Sequence, residues 1–261
     1  MSTGQDPPAG QWQQGLPTSG VDIVAAPTAV SGTAPRGVLL DYGHTLAEFD
    51  LPTTQLRRVA VRAAARSLEE LGCLIDPQAL DAALLACMGP LQARGCDIAF
   101  GRALAMLFPD LPPTAPLALE RAMRRATARF TRPAPGALTA LVRLRAAGCR
   151  LAVVSDVSLQ ARSLRWELDA LGFGTFAAVV TSGDVGRCKP DPRIFATALS
   201  ALGLEPREVC HVGDWWEGDV LGARAQGIRA LWRRADPHRL VPDVTVPVLD
   251  DLGQLPRCLG L

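Results

Sequence analysis

The chain has 261 residues, 48% of them hydrophobic and 20% charged, with a formal net charge of +1. That is ordinary globular composition, with room for one large domain or a core plus a smaller insert. The near-zero charge carries no basic excess of the kind that nucleic-acid or acidic-membrane binding uses, so neither partner is expected. Seven cysteines at 73, 87, 96, 149, 188, 210 and 258 are scattered, with no C-x-x-C pair. Zinc fingers and a disulfide framework are therefore not expected, and reduced thiols in a cytoplasmic protein are. No basic and apolar leader opens the sequence, and no apolar run approaches the ~20 residues of a membrane span.

Residues 1–34 are rich in Pro, Gly, Ser, Thr and Gln. They read as a disordered or loosely attached tail. The run "RGVLLDY" then reads as a short buried strand of the parallel type. From Thr53 to Phe130 the apolar spacing is helical. The first helix has a Thr cap and ends at Gly72; the second has Asp76 before Pro77 at its first turn. Two more, "DIAFGRALAMLF" and "PLALERAMRRATARF", complete about four helices.

After "TRPAPG" the pattern changes to strands alternating with helices of 10–15 residues. The strands are "RLAVVSD", "AAVVTSGD", "EVCHVGD" and "IRALW", with a final extended "VPVLDDL". Such alternation means βαβ units and a parallel sheet. The expected fold is α/β: a three-layer Rossmann-like core from residues 35–49 and 131–261, interrupted by an α-helical insert over 50–130.

Ligands of open parallel sheets bind at the carboxyl ends of the strands. There the sequence puts Asp41, Ser155 with Asp156, and Asp214, with Lys189 in a nearby loop and Asp219 five residues past Asp214. Lys189 stands out, because it is the one Lys beside 26 Arg. A compact ammonium is required where a planar guanidinium does not fit. Converging carboxylates repel unless neutralised, and Mg²⁺ with its oxygen ligands resolves this. The set suits phosphoryl transfer through an aspartyl-phosphate. Asp191, before Pro192, reads as a helix cap, and Asp156 and Asp184 as loop acids.

At these residues the chain resembles the haloacid dehalogenase superfamily. The four family motifs appear in order as "VLLDYGHTL", "LAVVSD", "CKPDPRIF" and "VGDWWEGDVLGA". The helical insert looks like the family's C1-type cap. The resemblance implies a Mg²⁺-dependent phosphatase acting on a small phosphorylated metabolite. Asp41 would be nucleophile and metal ligand, and Ser155 and Lys189 would hold the phosphoryl group and the nucleophile. Besides Asp41, the metal ligands would be the backbone carbonyl of Gly43, Asp214, and Asp219 directly or through water.

The departure is Gly43, where most family phosphatases carry the Asp that moves the proton. His44 is the candidate substitute, with Glu48, Asp50 or a cap residue behind it. Otherwise the leaving group needs little acid help, as in an acyl phosphate or sugar 1-phosphate, or the protein is inactive. The alternatives are a non-catalytic binding or regulatory protein, a dehalogenase-type hydrolase, and more remotely a phosphomutase. Trp215 and Trp216, beside Asp214, are expected to pack under the cap. The sequence leaves substrate and oligomeric state open.

Overall fold

The computed structural model describes residues 33–236 and 238–261. The tail read from residues 1–34 lies, but for its last two residues, outside them.

The first strand, β1 (Gly37–Leu40), is buried along its whole length. A tight turn follows, in which the Leu46 and Ala47 N–H groups both donate to the Tyr42 carbonyl. β2 (Ala47–Phe49) leads into four helices: α1 (Thr53–Glu70), α2 (Pro77–Gln92), α3 (Phe100–Leu107) and α4 (Ala115–Ala128). β3 (Thr131–Pro133) closes the insert by pairing antiparallel with β2. Three-residue strands carry no readable period, so this ribbon was not expected from the sequence.

Then come α5 (Ala137–Ala146), β4 (Arg150–Ser155), α6 (Ala161–Ala170), β5 (Ala178–Thr181), α7 (Ser182–Val185) and α8 (Pro192–Leu202). They are followed by β6 (Val209–Gly213), a π-helical turn (Trp216–Leu221), α9 (Gly222–Ala225), β7 (Arg229–Arg233), β8 (Val248–Leu249) and α10 (Leu255–Cys258).

Six strands form one parallel sheet in the order β5-β4-β1-β6-β7-β8. The chain fills one side of β1 with β4 and β5 and then turns to the other side with β6, β7 and β8. The order therefore reverses around β1, and the crevice there lies at the strands' carboxyl ends. Val38 and Leu40 face the layer built by α5, α6 and α10. Leu39 faces the opposite layer, with Ile194 and Phe195 of α8. Both faces are covered, which is why these strands read as continuous apolar runs rather than alternating ones.

The insert has its own core of Val61, Leu68, Leu80, Leu84, Leu104 and Met123. Asp76 caps α2 as expected, accepting the Gln78 and Ala79 N–H groups at 2.9 and 3.1 Å. α1 differs: it begins after Pro52 with no side-chain cap, so Thr53 lies inside the helix rather than before it.

The insert sits on the carboxyl rim of the sheet through polar contacts. Asp97 accepts the hydroxyls of Ser158 (2.8 Å) and Ser182 (2.6 Å), just beyond β4 and β5. Glu120, fully buried on α4, accepts the Ser163 hydroxyl (2.6 Å) and the Gly101 N–H (2.7 Å). Arg124 of α4 pairs with Glu167 of α6. No helix among the described residues is long and apolar enough to cross a membrane.

Burial separates the sensitive positions from the tolerant ones. Leu39→Ala in the fully buried central strand is expected to cost about 2–5 kcal/mol, while Leu74→Ala, 82% exposed, stays within about 0.5 kcal/mol. Urea unfolding midpoints measure both. Similar midpoints for the two variants would contradict this placement of the core.

Candidate active site

β1 ends in Asp41, whose N–H donates to the Val212 carbonyl of neighbouring β6 at 2.9 Å. That bond sets the start of the rim. β4 ends in Ser155, buried beside β1, and β6 ends at Gly213 before Asp214. The loop before α8 brings Lys189 inward, 3% exposed. Asp191 caps that helix through the Arg193 N–H at 3.0 Å, as its sequence indicated.

Lys189 is the hub. Its Nζ donates to Asp41 Oδ1 at 2.7 Å, to Asp219 Oδ1 at 2.5 Å and to the Val154 carbonyl at 3.4 Å. An ammonium has three donors, and all three are used. The lone Lys of the chain thus sits where a wide guanidinium fork would not fit between two buried carboxylates.

Asp219 is fully buried in the π-helical turn and holds three donors. Oδ1 also meets Nε2 of His211 at 2.9 Å, and Oδ2 accepts the Trp215 N–H at 2.9 Å. A Cβ on Gly213 would overlap the Asp219 carboxyl, so glycine at the strand end makes this approach feasible.

Carboxylate oxygens of Asp41, Asp214 and Asp219 all lie within 4.8 Å of one another. Asp214 also takes the Thr45 hydroxyl at 3.5 Å. The charges respond in opposite directions. Burial, opposed by Lys189, raises the Asp41 carboxyl above its usual range. Burial, with the charges of Asp41 and Asp219 added, pushes Asp214 up to about 7. Burial works against Asp219 too, yet the Lys189 charge and the His211 hydrogen bond hold it well below the usual carboxylate range. Lys189 is desolvated, but the carboxylates around it keep it charged far into the alkaline range. Asp156, exposed at the rim, accepts the Lys189 backbone N–H at 2.9 Å, and desolvation of its carboxyl raises it to about 7.

The site therefore unites Asp41, Lys189, Asp214 and Asp219, with Ser155 at the end of neighbouring β4 and Gly43 in the turn two residues past Asp41. His44 is not brought in. It takes a left-handed backbone (φ 55°), is exposed, and lays its ring edge-on to Phe49 at 5.3 Å. The apex of the Tyr42–Ala47 turn points it to solvent. Glu48 is held by Arg132 (2.6 Å) and Arg233 (3.1 Å), and Asp50 by Arg132 (3.1 Å). Trp216 is buried edge-on to Trp232 at 5.5 Å, in the core layer rather than under the insert. Trp215 is 42% exposed and covers Gly218.

Sequence reasoning missed His211, fully buried on β6 with Phe195 edge-on at 5.4 Å. The available signal was a polar ring in an otherwise apolar central strand. A buried polar side chain needs a partner, and the nearby acid provides one.

Residues 102–227 match the family model described as haloacid dehalogenase-like hydrolase. That stretch contains Ser155, Lys189, Asp214 and Asp219 but not Asp41. A phosphoserine phosphatase of Thermus thermophilus is 47% identical over 76 residues, 27% of this chain and 30% of that protein. A glyceraldehyde 3-phosphate phosphatase of Methanothermobacter thermautotrophicus is 34% identical over 137 residues, covering 49% and 59% of the two chains. The matches thus span well under two thirds of those relatives. The structure of a HAD phosphatase from Thermococcus onnurineus is similar with a TM-score of 0.57, covering 86% of this chain and 98% of that one. At 23% identity that likeness concerns the fold. Four ordered motifs and these matches converge on one likeness: residues 102–227 are similar to the haloacid dehalogenase-like hydrolases, and relatives named as phosphatases match parts of the chain.

Proposed function

We propose that the protein is a Mg²⁺-dependent phosphatase that hydrolyses a small organic phosphate through an aspartyl-phosphate on Asp41. The observation that carries this reading is the buried cluster in which Lys189 bridges Asp41 and Asp219 beside Asp214. Relatives named phosphoserine phosphatase and glyceraldehyde 3-phosphate phosphatase support the substrate class. The carboxylates of Asp214 and Asp219 beside Asp41 also favour it over dehalogenation, since they offer oxygen ligands to a divalent cation of the kind that binds phosphoryl oxygens.

The donor set fits a hard divalent cation: oxygen ligands only, with Asp41 and Asp214 raised chiefly by desolvation and further by neighbouring carboxylates, which a bound cation would offset. Asp41, Asp214 and the Gly43 carbonyl would hold it, and Asp219, whose oxygens are occupied by three protein donors, would support it through water. Bound there, Mg²⁺ supplies charge neutralisation for the phosphoryl oxygens.

The chain's own residues do the rest. Asp41 Oδ1 is pinned by Lys189, which leaves Oδ2 to attack phosphorus. The Asp41–phosphorus bond forms as the bond to the leaving oxygen breaks. Water then attacks phosphorus, and inorganic phosphate leaves as Asp41 is restored. Ser155 at the end of β4 donates to a phosphoryl oxygen, and Lys189 balances its charge. The helices over 50–130, seated on the rim, act as the cap that closes the site and shields it from water.

Asp41→Asn is expected to lower phosphate release by at least about 10³-fold, because an amide cannot replace the nucleophilic carboxylate. Unchanged turnover would rule out the covalent mechanism.

Metal binding is expected to depend on pH in a defined direction. Asp214 binds its proton up to about 7, so protons compete with Mg²⁺ below that value. The raised pKa also makes the metal-free fold lose stability as pH rises from about 4 to about 7, because the folded state holds the extra proton there. Added Mg²⁺ should therefore stabilise the fold more at pH 8 than at pH 5, with about 2.7 kcal/mol gained at a hundredfold excess over Kd, read as a larger rise in melting temperature. Calorimetry against an EDTA control measures it. An equal shift at both pH values, or none, would contradict the carboxylate site.

A further inference from the structure

A carboxylate that displaces an alkoxide from phosphorus leaves a strongly basic oxygen behind. A positioned proton carrier typically accelerates such a step by about 10²–10⁴-fold. Gly43 has no side chain to carry a proton. His44 is turned to solvent on Phe49. Glu48 and Asp50 are tied to Arg132, Glu48 also to Arg233. Asp214 belongs to the carboxylate cluster, Asp219 is saturated by three donors, and the Lys189 protons are held by Asp41, Asp219 and a carbonyl.

One rim acid has no such engagement. β1 pairs with β4 so that Leu40 lies opposite Val153. Gly43 stands three residues beyond Leu40, and Asp156 stands three residues beyond Val153. Both lie past the carboxyl ends of neighbouring paired strands, so a carboxyl leaves the strand next to the one whose exit lacks a side chain. Asp156 Oδ1 accepts the Lys189 backbone N–H at 2.9 Å, which fixes the group above the lysine. Oδ2 has no hydrogen-bond partner among the described residues, and Asp156 is exposed to solvent.

We propose that Asp156 is the proton carrier of this site, a catalytic residue that nothing in the family motif names. The inference rests on the phosphatase reading above. In the first step Asp41 Oδ2 bonds to phosphorus, the phosphorus–oxygen bond to the leaving group breaks, and the Asp156 proton goes to that oxygen, releasing the alcohol. In the second step Asp156, now a carboxylate, takes a proton from water. The hydroxyl bonds to phosphorus, the bond to Asp41 breaks, and inorganic phosphate leaves.

The charged groups facing Asp156 are Lys189 from the α8 loop, Asp41 from β1 and Asp219 from the π-helical turn, with the Cys188 thiol beside it. Asp156 is exposed at the rim, yet desolvation of its carboxyl, opposed by Lys189 and aided by Asp41 and Asp219, raises it to about 7. Cys188, pushed up to about 12, stays a neutral thiol and does not compete. Near neutral pH both forms of Asp156 are populated, as the two steps require.

The test uses the full chain with Mg²⁺ and two variants, Asp156→Asn and Asp156→Ala. Asn keeps an oxygen for the Lys189 N–H but carries no transferable proton; Ala loses both. Substrates are p-nitrophenyl phosphate, whose leaving group needs little acid, and the best-hydrolysed of phosphoserine, glyceraldehyde 3-phosphate and glycerol 3-phosphate. Asp156→Asn should lower kcat/KM on the alkyl ester by about 10²–10⁴-fold and on the aryl ester far less. A rapid burst of nitrophenol should precede slow turnover, because water attack loses its base. The inflection of wild-type kcat/KM near pH 7 should vanish. If Asp156→Asn keeps alkyl turnover to within about threefold and the pH profile is unchanged, the proposal fails whatever Asp156→Ala does. In that event loss in Asp156→Ala alone would mark a clamp on the lysine loop. A wild-type chain inactive on every ester would overturn the phosphatase reading itself and this one with it.

Discussion

The three-way contact of Lys189 with Asp41 and Asp219 is the constraint on which the rest of the site depends. Taking an ammonium and two carboxylates out of water costs several kcal/mol per ion, and only complete pairing offsets it. Here pairing is complete on the lysine side: three N–H donors meet three acceptors. It extends outward through Asp219, fixed in turn by His211 and the Trp215 N–H. Removing one partner would strand a buried charge, so the ends of β1, β4 and β6, the loop before α8 and the π-helical turn are all committed to one arrangement.

The same logic governs how the insert is seated. An apolar contact between two bodies tolerates sliding; a buried carboxylate with fixed partners does not. Glu120 and Asp97 each collect donors from segments on both sides of the boundary. The helices over 50–130 therefore meet the rim in a defined register, next to the exits of β4 and β5, where the phosphoryl group of the proposed substrate would enter.

Much of this was legible in the sequence because it rests on short, strongly patterned stretches. Apolar runs of four to six residues ending in Asp or Ser mark strands buried on both faces, and the helical spacing between residues 53 and 130 marks the insert. Asp76 and Asp191 announce their helices by the Pro that follows each. What was not legible depends on direction and distance. The ribbon of β2 and β3 is too short to show alternation. His44 follows Gly43 in sequence, but a turn apex with positive φ sends it outward. His211 reads as one odd residue in an apolar strand until the chain returns Asp219 to it. Asp156 reads as a loop acid until β4 pairs beside β1 and the Lys189 N–H holds its carboxyl at the rim.

The β2–β3 ribbon covers the space beside Gly43. The Phe49 ring from the ribbon comes within 3.4 Å of where a Gly43 Cβ would stand, so the absent side chain leaves no hole beside Asp41. The charge balance runs the same way. Four carboxyls, Asp41, Asp156, Asp214 and Asp219, already share the rim with the single cation Lys189, and their mutual repulsion contributes to the raised values of Asp41, Asp156 and Asp214. A fifth carboxylate on β1 would add to that repulsion without adding a partner. With a glycine carbonyl on one strand and an acid on the next, the rim keeps an oxygen ligand where a cation needs one. In the proposed mechanism Asp156 would also bring a proton to the leaving oxygen, at lower electrostatic cost than if β1 carried both groups.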